Sequence, residues 1–192
     1  MADQSVAATV SMGLTDNFAG WMLSEQRRVF LLCQRMLGDP DEADSATQDV
    51  FFKAFRALQK AELPPDEPAK WVTRIAVNTC LDRLRSRRWQ FWRKRPNQED
   101  EEIILAMAPS QSPDAEDQTF AQEIGQRLAR AMGKLSDRQR AVFTLRHYED
   151  KSLDEIAEVL ELDVGTVKAH MARAVAKLRD DLKDRYALSR GV

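Results

Sequence analysis

From Phe18 onward, apolar residues return every three or four positions, and each run is bounded by a helix start or stop signal. Trp21, Met22, Val29, Leu32, Cys33, Met36 and Leu37 fall on one helical face. Gly38 follows the last of them, where left-handed backbone closes a helix at no steric penalty. Asp39-Pro40-Asp41-Glu42 opens a second helix. Asp39 is placed to cap it, Pro40 occupies a first-turn position whose amide has no helical partner, and Glu42 completes a capping box. Its stripe is Ala43, Ala46, Val50, Ala54 and Leu58, with Phe51, Phe52 and Phe55 adding aromatic bulk. Pro64, Pro65 and Pro68 then force a loop, since each removes a backbone donor and fixes φ. A third helix is expected from Ala69 to about Arg88, with Trp71, Val72, Ile75, Ala76, Thr79, Cys80 and Leu84 facing one way.

The pattern resumes near Phe120. Ile124, Leu128 and Ala131 share a face up to Met132, and Gly133-Lys134-Leu135 breaks it. Ser136-Asp137-Arg138-Gln139 and Ser152-Leu153-Asp154-Glu155 are two more capping boxes, each opening a helix. A last helix is expected from Val164 to about Tyr186. No stretch alternates with a period of two and no segment repeats. The fold class is therefore all-α, with two small helical domains joined by an acidic flexible linker. Residues 1–17 read as a loose N-terminal tail, 18–95 as the first domain, 96–119 as the linker and 120–192 as the second domain. The linker holds Pro109, Pro113 and one apolar patch, Ile103-Ile104-Leu105, which either docks on a partner or packs loosely.

Charge is segregated along the chain. The net formal charge of −2 is the sum of −4 over residues 1–70, +7 over 71–95, −8 over 96–123 and +3 over 124–192. At physiological salt, charges beyond about 10 Å are screened, so the local blocks decide what each segment attracts. Two basic segments in an acidic chain point to a polyanion. No run of about 18 apolar residues is present, so no membrane insertion is expected. The N-terminus lacks the basic start and apolar core of a secretory signal, and a cytoplasmic location is expected. Cys33 and Cys80 sit in helical patterns without a Cys-x-x-Cys spacing, and His147 and His170 are the only histidines. Buried thiols, no metal and no cofactor are expected. No nucleophile–base pair or phosphate loop suggests an enzyme.

Residues 152–179, SLDEIAEVLELDVGTVKAHMARAVAKLR, read as two helices joined at Glu161-Leu162-Asp163. Ala157 supplies the small residue where the helices touch, and Ile156, Leu160, Leu162, Val164, Val167 and Met171 fill the space between them. Lys168, Ala169, His170, Ala172, Arg173 and Lys177 line the outer face of the second helix. They are small or basic, as a helix lying in the major groove requires. Thr166 offers a hydroxyl and an amide to a phosphate at the start of that helix. Arg138, Arg140 and Arg146 flank the face. A plain helical hairpin would not need this basic surface, so the segment reads as a DNA-binding helix-turn-helix.

The chain resembles the extracytoplasmic-function (ECF) sigma factors over about residues 20–95 and 120–187. LGDPDEADSATQDVFFKAFRAL resembles sigma region 2.2, and WVTRIAVNTCLDRLRSRR resembles regions 2.3 and 2.4. KLSDRQRAVFTLRHYEDKSLDEIAEVLELDVGTVKAHMARAVAKLR resembles region 4. Such a protein would give core RNA polymerase its promoter specificity and open the duplex. The resemblance implies that Asp44, Gln48, Asp49 and Phe52 dock on the clamp helices of the β′ subunit, although Phe52 also suits a core. It implies a −10 element surface of Trp71, Arg74, Asn78, Arg83, Arg85, Arg87 and Arg88, with Asn78 at the base-reading position. Strand separation needs cations for the backbone, flat surfaces for unstacked bases and an amide for a base edge. Trp71, Trp89, Phe91 and Trp92 are the aromatic candidates, and Trp71 suits a core as well. The Pro-rich loop matches one that helps hold a flipped base. Region 4 implies −35 element contacts from Thr166, Lys168, Ala169, His170, Ala172, Arg173, Lys177, Arg140 and Arg146, with the β flap as its polymerase partner. The linker would run toward the RNA exit path, and an anti-sigma factor would hold the protein inactive.

Five features depart from the family pattern. Glu161 fills a turn position often held by Gly, at a cost of roughly 1 kcal/mol if its backbone is left-handed. His170 stands where an arginine is common, and Trp89-Gln90-Phe91-Trp92 is unusually aromatic. The start of region 2 is short, with few of the expected residues, and no segment resembles sigma regions 1.1 or 3. The alternative, a stand-alone helix-turn-helix transcriptional regulator, would share the second domain but would put a sensor or dimer interface at residues 39–95.

Overall fold

A computed structural model describes residues 17–60, 65–93 and 120–186. The N-terminal tail, the linker with its Ile103–Leu105 patch, and the side chains of Phe91 and Trp92 lie outside the described residues. Among the described residues there are helices and no strands. The helices are α1 (Phe18–Leu37), α2 (Pro40–Lys60), α3 (Pro68–Arg93), α4 (Phe120–Gly133), α5 (Asp137–His147), α6 (Leu153–Leu160) and α7 (Val164–Tyr186). They gather into two compact units with separate cores.

The first unit is built as its punctuation dictates. Asn17 caps α1 by accepting from the Gly20 amide at 3.1 Å. Gly38 takes φ +79°, and its amide closes the helix on the Gln34 carbonyl at 2.8 Å. Asp39 Oδ1 then accepts from the Glu42 amide at 2.8 Å and starts α2. With so short a connection, α1 and α2 pack on each other. Val29, Leu32, Cys33 and Met36 of α1, Ala43, Ala46 and Val50 of α2, and Val72, Ala76, Val77 and Cys80 of α3 are fully buried. Each such Leu, Val or Met contributes roughly 1.5–3 kcal/mol. Cys33 and Cys80 are buried thiols with no disulfide. Of the aromatic residues on α2, Phe51 enters the core, whereas Phe52 and Phe55 stay exposed.

Polar pins fix α3 against the other two helices. Arg28 donates to Thr73 Oγ1 at 2.9 Å and to the Ala69 carbonyl at 3.2 Å, while its Nε holds Glu25 at 2.7 Å. Lys53 Nζ donates to Thr79 Oγ1 at 3.0 Å. Helix α3 runs five residues past Arg88, so Trp89 stands on a helix.

The second unit packs Ala131 and Met132 of α4, and Leu135 just after it, against Ala174 and Leu178 of α7. Leu145 of α5, Ile156 and Val159 of α6, and Val167 of α7 are also buried. Both capping boxes form. Ser136 and Gln139 exchange bonds of 3.4 and 3.1 Å, and Ser152 and Glu155 exchange bonds of 3.2 and 2.8 Å.

Candidate nucleic-acid interface

The end of α6 sets the geometry of the helix-turn-helix. The Leu162 amide bonds the Ala157 carbonyl at 2.9 Å and the Glu161 amide bonds that of Glu158 at 3.4 Å, the paired bonds of a Schellman motif. That motif demands left-handed backbone at Glu161, and the residue adopts it at φ +54°. The turn therefore keeps the geometry of a glycine turn and absorbs the strain. Asp163 starts α7: its Oδ1 accepts from the Thr166 amide at 2.8 Å and its Oδ2 from the Thr166 hydroxyl at 2.5 Å. The two groups of Thr166 expected to meet a phosphate are thus both committed to Asp163. A carboxylate already occupies the positive end of the helix.

The face of α7 then divides. Lys168, Ala172 and Arg173 are exposed, and Ala169 and His170 are half-buried beside them. Burial, and then the neighbouring Arg173 and Arg138, push the His170 ring below the usual histidine range. The imidazole is therefore neutral at neutral pH. Arg179, not expected from the sequence, is exposed eleven residues after Lys168, which returns it to the same side of the helix. Lys177 lies half a turn around from Lys168, and its Nζ donates to the Lys134 carbonyl at 2.6 Å. Lys134 in turn pairs with Asp181 at 2.9 Å. Lys177 thus ties α7 to the end of α4.

Arg140 also departs from its expected place. It is buried, and its Nη2 donates to the carbonyls of Gly133 at 2.8 Å and Leu135 at 3.4 Å. The end of α4 exposes carbonyls that no helical amide reaches, and Arg140 supplies the donor. Burial lowers its pKa, with Asp137 opposing that shift. Arg146 is exposed, with Nη1 on the Lys151 carbonyl at 2.9 Å, bracing the turn before α6.

On α3, Arg74, Asn78, Arg85 and Arg88 are exposed, and Arg83 and Arg87 are half-buried. Trp71 is half-buried with its ring centroid 6.4 Å from that of Trp21. Trp21 also meets Phe51 edge-on at 6.1 Å, so Trp71 belongs to the aromatic cluster of the first unit. On α2, Asp44, Gln48 and Asp49 are exposed, and Gln48 Nε2 donates to Asp44 Oδ2 at 2.8 Å. Phe52 is 60% exposed with the Arg56 guanidinium 5.5 Å above its ring. Asp44, Gln48 and Phe52 recur every four residues and form one ridge.

Two family models match in chain order: Sigma-70 region 2 over residues 21–90 and Sigma-70 region 4 over residues 125–178. The Pseudomonas aeruginosa RNA polymerase sigma-H factor is 31% identical over 180 residues, covering 90% of this chain and 89% of its own. The Bacillus subtilis ECF RNA polymerase sigma factor SigW is 29% identical over 178 residues, 91% of this chain and 94% of that one. The chain belongs to the ECF sigma factors. Among solved structures, the Bartonella quintana sigma factor RpoE, in complex with the anti-sigma factor NepR, is similar with a TM-score of 0.65 and 20% identity. It covers 87% of this chain and 97% of its own. CnrH, in complex with the cytosolic domain of CnrY, gives a TM-score of 0.59 and 25% identity, covering 96% and 99%. In this sigma factor no helix of the described residues is long and apolar enough to cross a membrane.

The capping carboxylates of the helix-turn-helix carry a prediction. The Ser152 amide and hydroxyl hold Glu155 below its usual pKa of 4.5, and the Thr166 hydroxyl and amide hold Asp163 below 3.8. Groups with depressed folded pKa values stabilise above their unfolded pKa and lose that contribution as pH falls through the folded one. Stability of the second unit is therefore expected to decline as pH drops below about 4.5. The double variant Glu155→Gln, Asp163→Asn should flatten that decline in urea titrations run from pH 6 to pH 3. An unchanged slope would show that the caps do not form in solution.

Proposed function

We propose that this sigma factor binds core RNA polymerase through the exposed ridge of α2, meets the −10 element with α3 and meets the −35 element with α7. Asp44, Gln48, Asp49 and Phe52 supply a polar edge around an exposed ring, suited to the β′ clamp helices. The basic face of α3 attracts phosphates while Asn78 presents an amide to a base edge. Lys168 and Arg173 supply the cations of the −35 surface, with Arg138 near His170 and Arg179 farther along the Lys168 side of α7. The second unit would sit against the β flap. The protein acts by binding and positioning and performs no chemistry of its own. RpoE and CnrH, both described with a bound partner, support an anti-sigma factor that holds this chain inactive.

The observation that carries this reading is the exposure of Arg74, Asn78, Arg85 and Arg88 along one helix of a sigma region 2 fold. A stand-alone regulator has no use for such a helix after a docking ridge. Purified protein is expected to direct runoff transcription by core polymerase from a subset of a promoter library. Absence of any promoter-dependent transcript overturns the proposal. Asn78→Ala should change the preferred −10 sequence and leave the −35 footprint intact. Equal loss at both elements would remove Asn78 from its role.

A further inference from the structure

The second half of α2 carries three exposed cations, Lys53, Arg56 and Lys60. Arg56 lies over the Phe52 ring. Lys53 crosses to the neighbouring helix, where its Nζ donates to Thr79 Oγ1 at 3.0 Å. Thr79 is 3% exposed and directly follows Asn78, so the ammonium rests on the part of α3 read as meeting a base. The acceptor is a neutral hydroxyl, which orients the charge without cancelling it. No carboxylate pairs with Lys53 among the described residues. An ammonium has three donors, and Thr79 takes one. The other two belong to a side chain whose long stem is already ordered. Binding an anion there costs less conformational freedom than binding one to a loose surface lysine.

The two helices place this cation between their faces. Arg74, Asn78, Asp82 and Arg85 form the exposed stripe of α3, and Thr79 stands at its edge toward α2. Lys53 therefore adds a charge from the side to a surface in which Asp82 is the one acidic residue between positions 71 and 95. On α2 itself, Lys53 is about 100° around from Phe52, off the ridge of Asp44, Gln48 and Phe52. A protein seated on that ridge lies on another face of α2, whereas a strand laid along α3 runs past the ammonium.

We propose that Lys53 binds a backbone phosphate of the −10 strand, so that α2 contributes a group to promoter DNA as well as a ridge to polymerase. The inference rests on the reading of α3 as the −10 surface and adds to it a residue from the neighbouring helix. A lysine is a compact point charge suited to a phosphate oxygen. A phosphate contact carries no sequence information; it fixes the register of the strand on the protein. Lys53 holds the backbone beside Asn78 and so sets which base that amide meets. Thr79 acts through Lys53: it is a positioning residue that keeps the ammonium at the edge of the stripe.

The test uses holoenzyme assembled from core polymerase and full-length protein, with a forked promoter DNA whose −10 strand is unpaired. Lys53→Met keeps the stem and removes the charge. It should weaken fork binding about five-fold and lower the slope of log affinity against log salt by about 0.7–0.9. Binding to core polymerase, binding to a −35 duplex and the preferred −10 sequence should be unchanged. Lys53→Arg should recover more than half of the loss. Thr79→Val keeps the charge and frees it, so affinity should fall by less than in Lys53→Met with the salt slope retained. Adding Thr79→Val to Lys53→Met should weaken the fork no further. A neutral methylphosphonate at the contacted position should bring wild type to the level of Lys53→Met and leave that variant unaffected; scanning it along the −10 strand locates the phosphate. If wild type transcribes and Lys53→Met matches it on the fork, the inference fails alone. A weaker fork with an unchanged salt slope would give Lys53 a packing role, and loss of core binding would make it a polymerase contact; either overturns the inference. If wild type itself transcribes from no promoter, the underlying reading of α3 falls instead.

Discussion

Arg140→Ala is expected to destabilise the second unit by about 3 kcal/mol. The part-buried Gly133 carbonyl loses a 2.8 Å donor and the buried Leu135 carbonyl loses one at 3.4 Å, and a buried acceptor left without a partner costs roughly 1–3 kcal/mol. Truncation to Ala keeps Cβ and removes two methylenes of the buried stem, at about 0.8 kcal/mol each. Urea unfolding should rank the variants. Arg140→Lys retains the stem and a cation and should lose least. Arg140→Met retains packing and loses the bonds, and Ala loses both. Binding of −35 DNA, measured well below the melting temperature, should change little. A stable Arg140→Ala protein with weakened DNA binding would instead return Arg140 to the DNA surface.

That contrast marks where the sequence stops being readable. A helix start is a local event: a side-chain oxygen meets an amide two or three residues away. Asp39, Ser136 and Ser152 were therefore legible as caps, and all three cap in the structure. The end of α3 was harder to place. Trp89 to Arg93 contain no helix breaker, and the next proline is Pro96, so nothing local stops the helix after the basic run. Phe51 and Phe52 are adjacent and chemically identical, and only the rotation of α2 decides that the first is core and the second surface. The bonds of Arg140 and Lys177 were illegible for a different reason. Their partners are the carbonyls at the end of α4, seven residues away for Arg140 and Gly133, and 43 for Lys177 and Lys134. A basic residue reads as a DNA ligand until the carbonyl that needs it can be seen. Thr166 is intermediate, since Asp163 stands three residues before it and is itself a strong cap.

Lys168→Ala combined with Arg173→Ala is expected to give the largest loss of −35 binding, about 2–6 kcal/mol if each contact contributes 1–3 kcal/mol. Both side chains are exposed, so the melting temperature should hardly move. Anisotropy titrations at several salt concentrations separate the two roles. Removing a phosphate contact lowers the slope of log affinity against log salt by about 1 and weakens all sequences alike. Removing a base contact leaves the slope and relaxes preference at one position. Arg173 has the planar fork that reads guanine, so it is expected to control sequence, whereas Lys168 is a point charge suited to a phosphate. They stand five residues apart, about 7.5 Å along α7, close enough for the double variant to depart from additivity. Neutral His170 lies beside Arg173 and cannot replace its charge. A double variant that binds −35 duplex as wild type does would show that another face of the second unit meets the DNA.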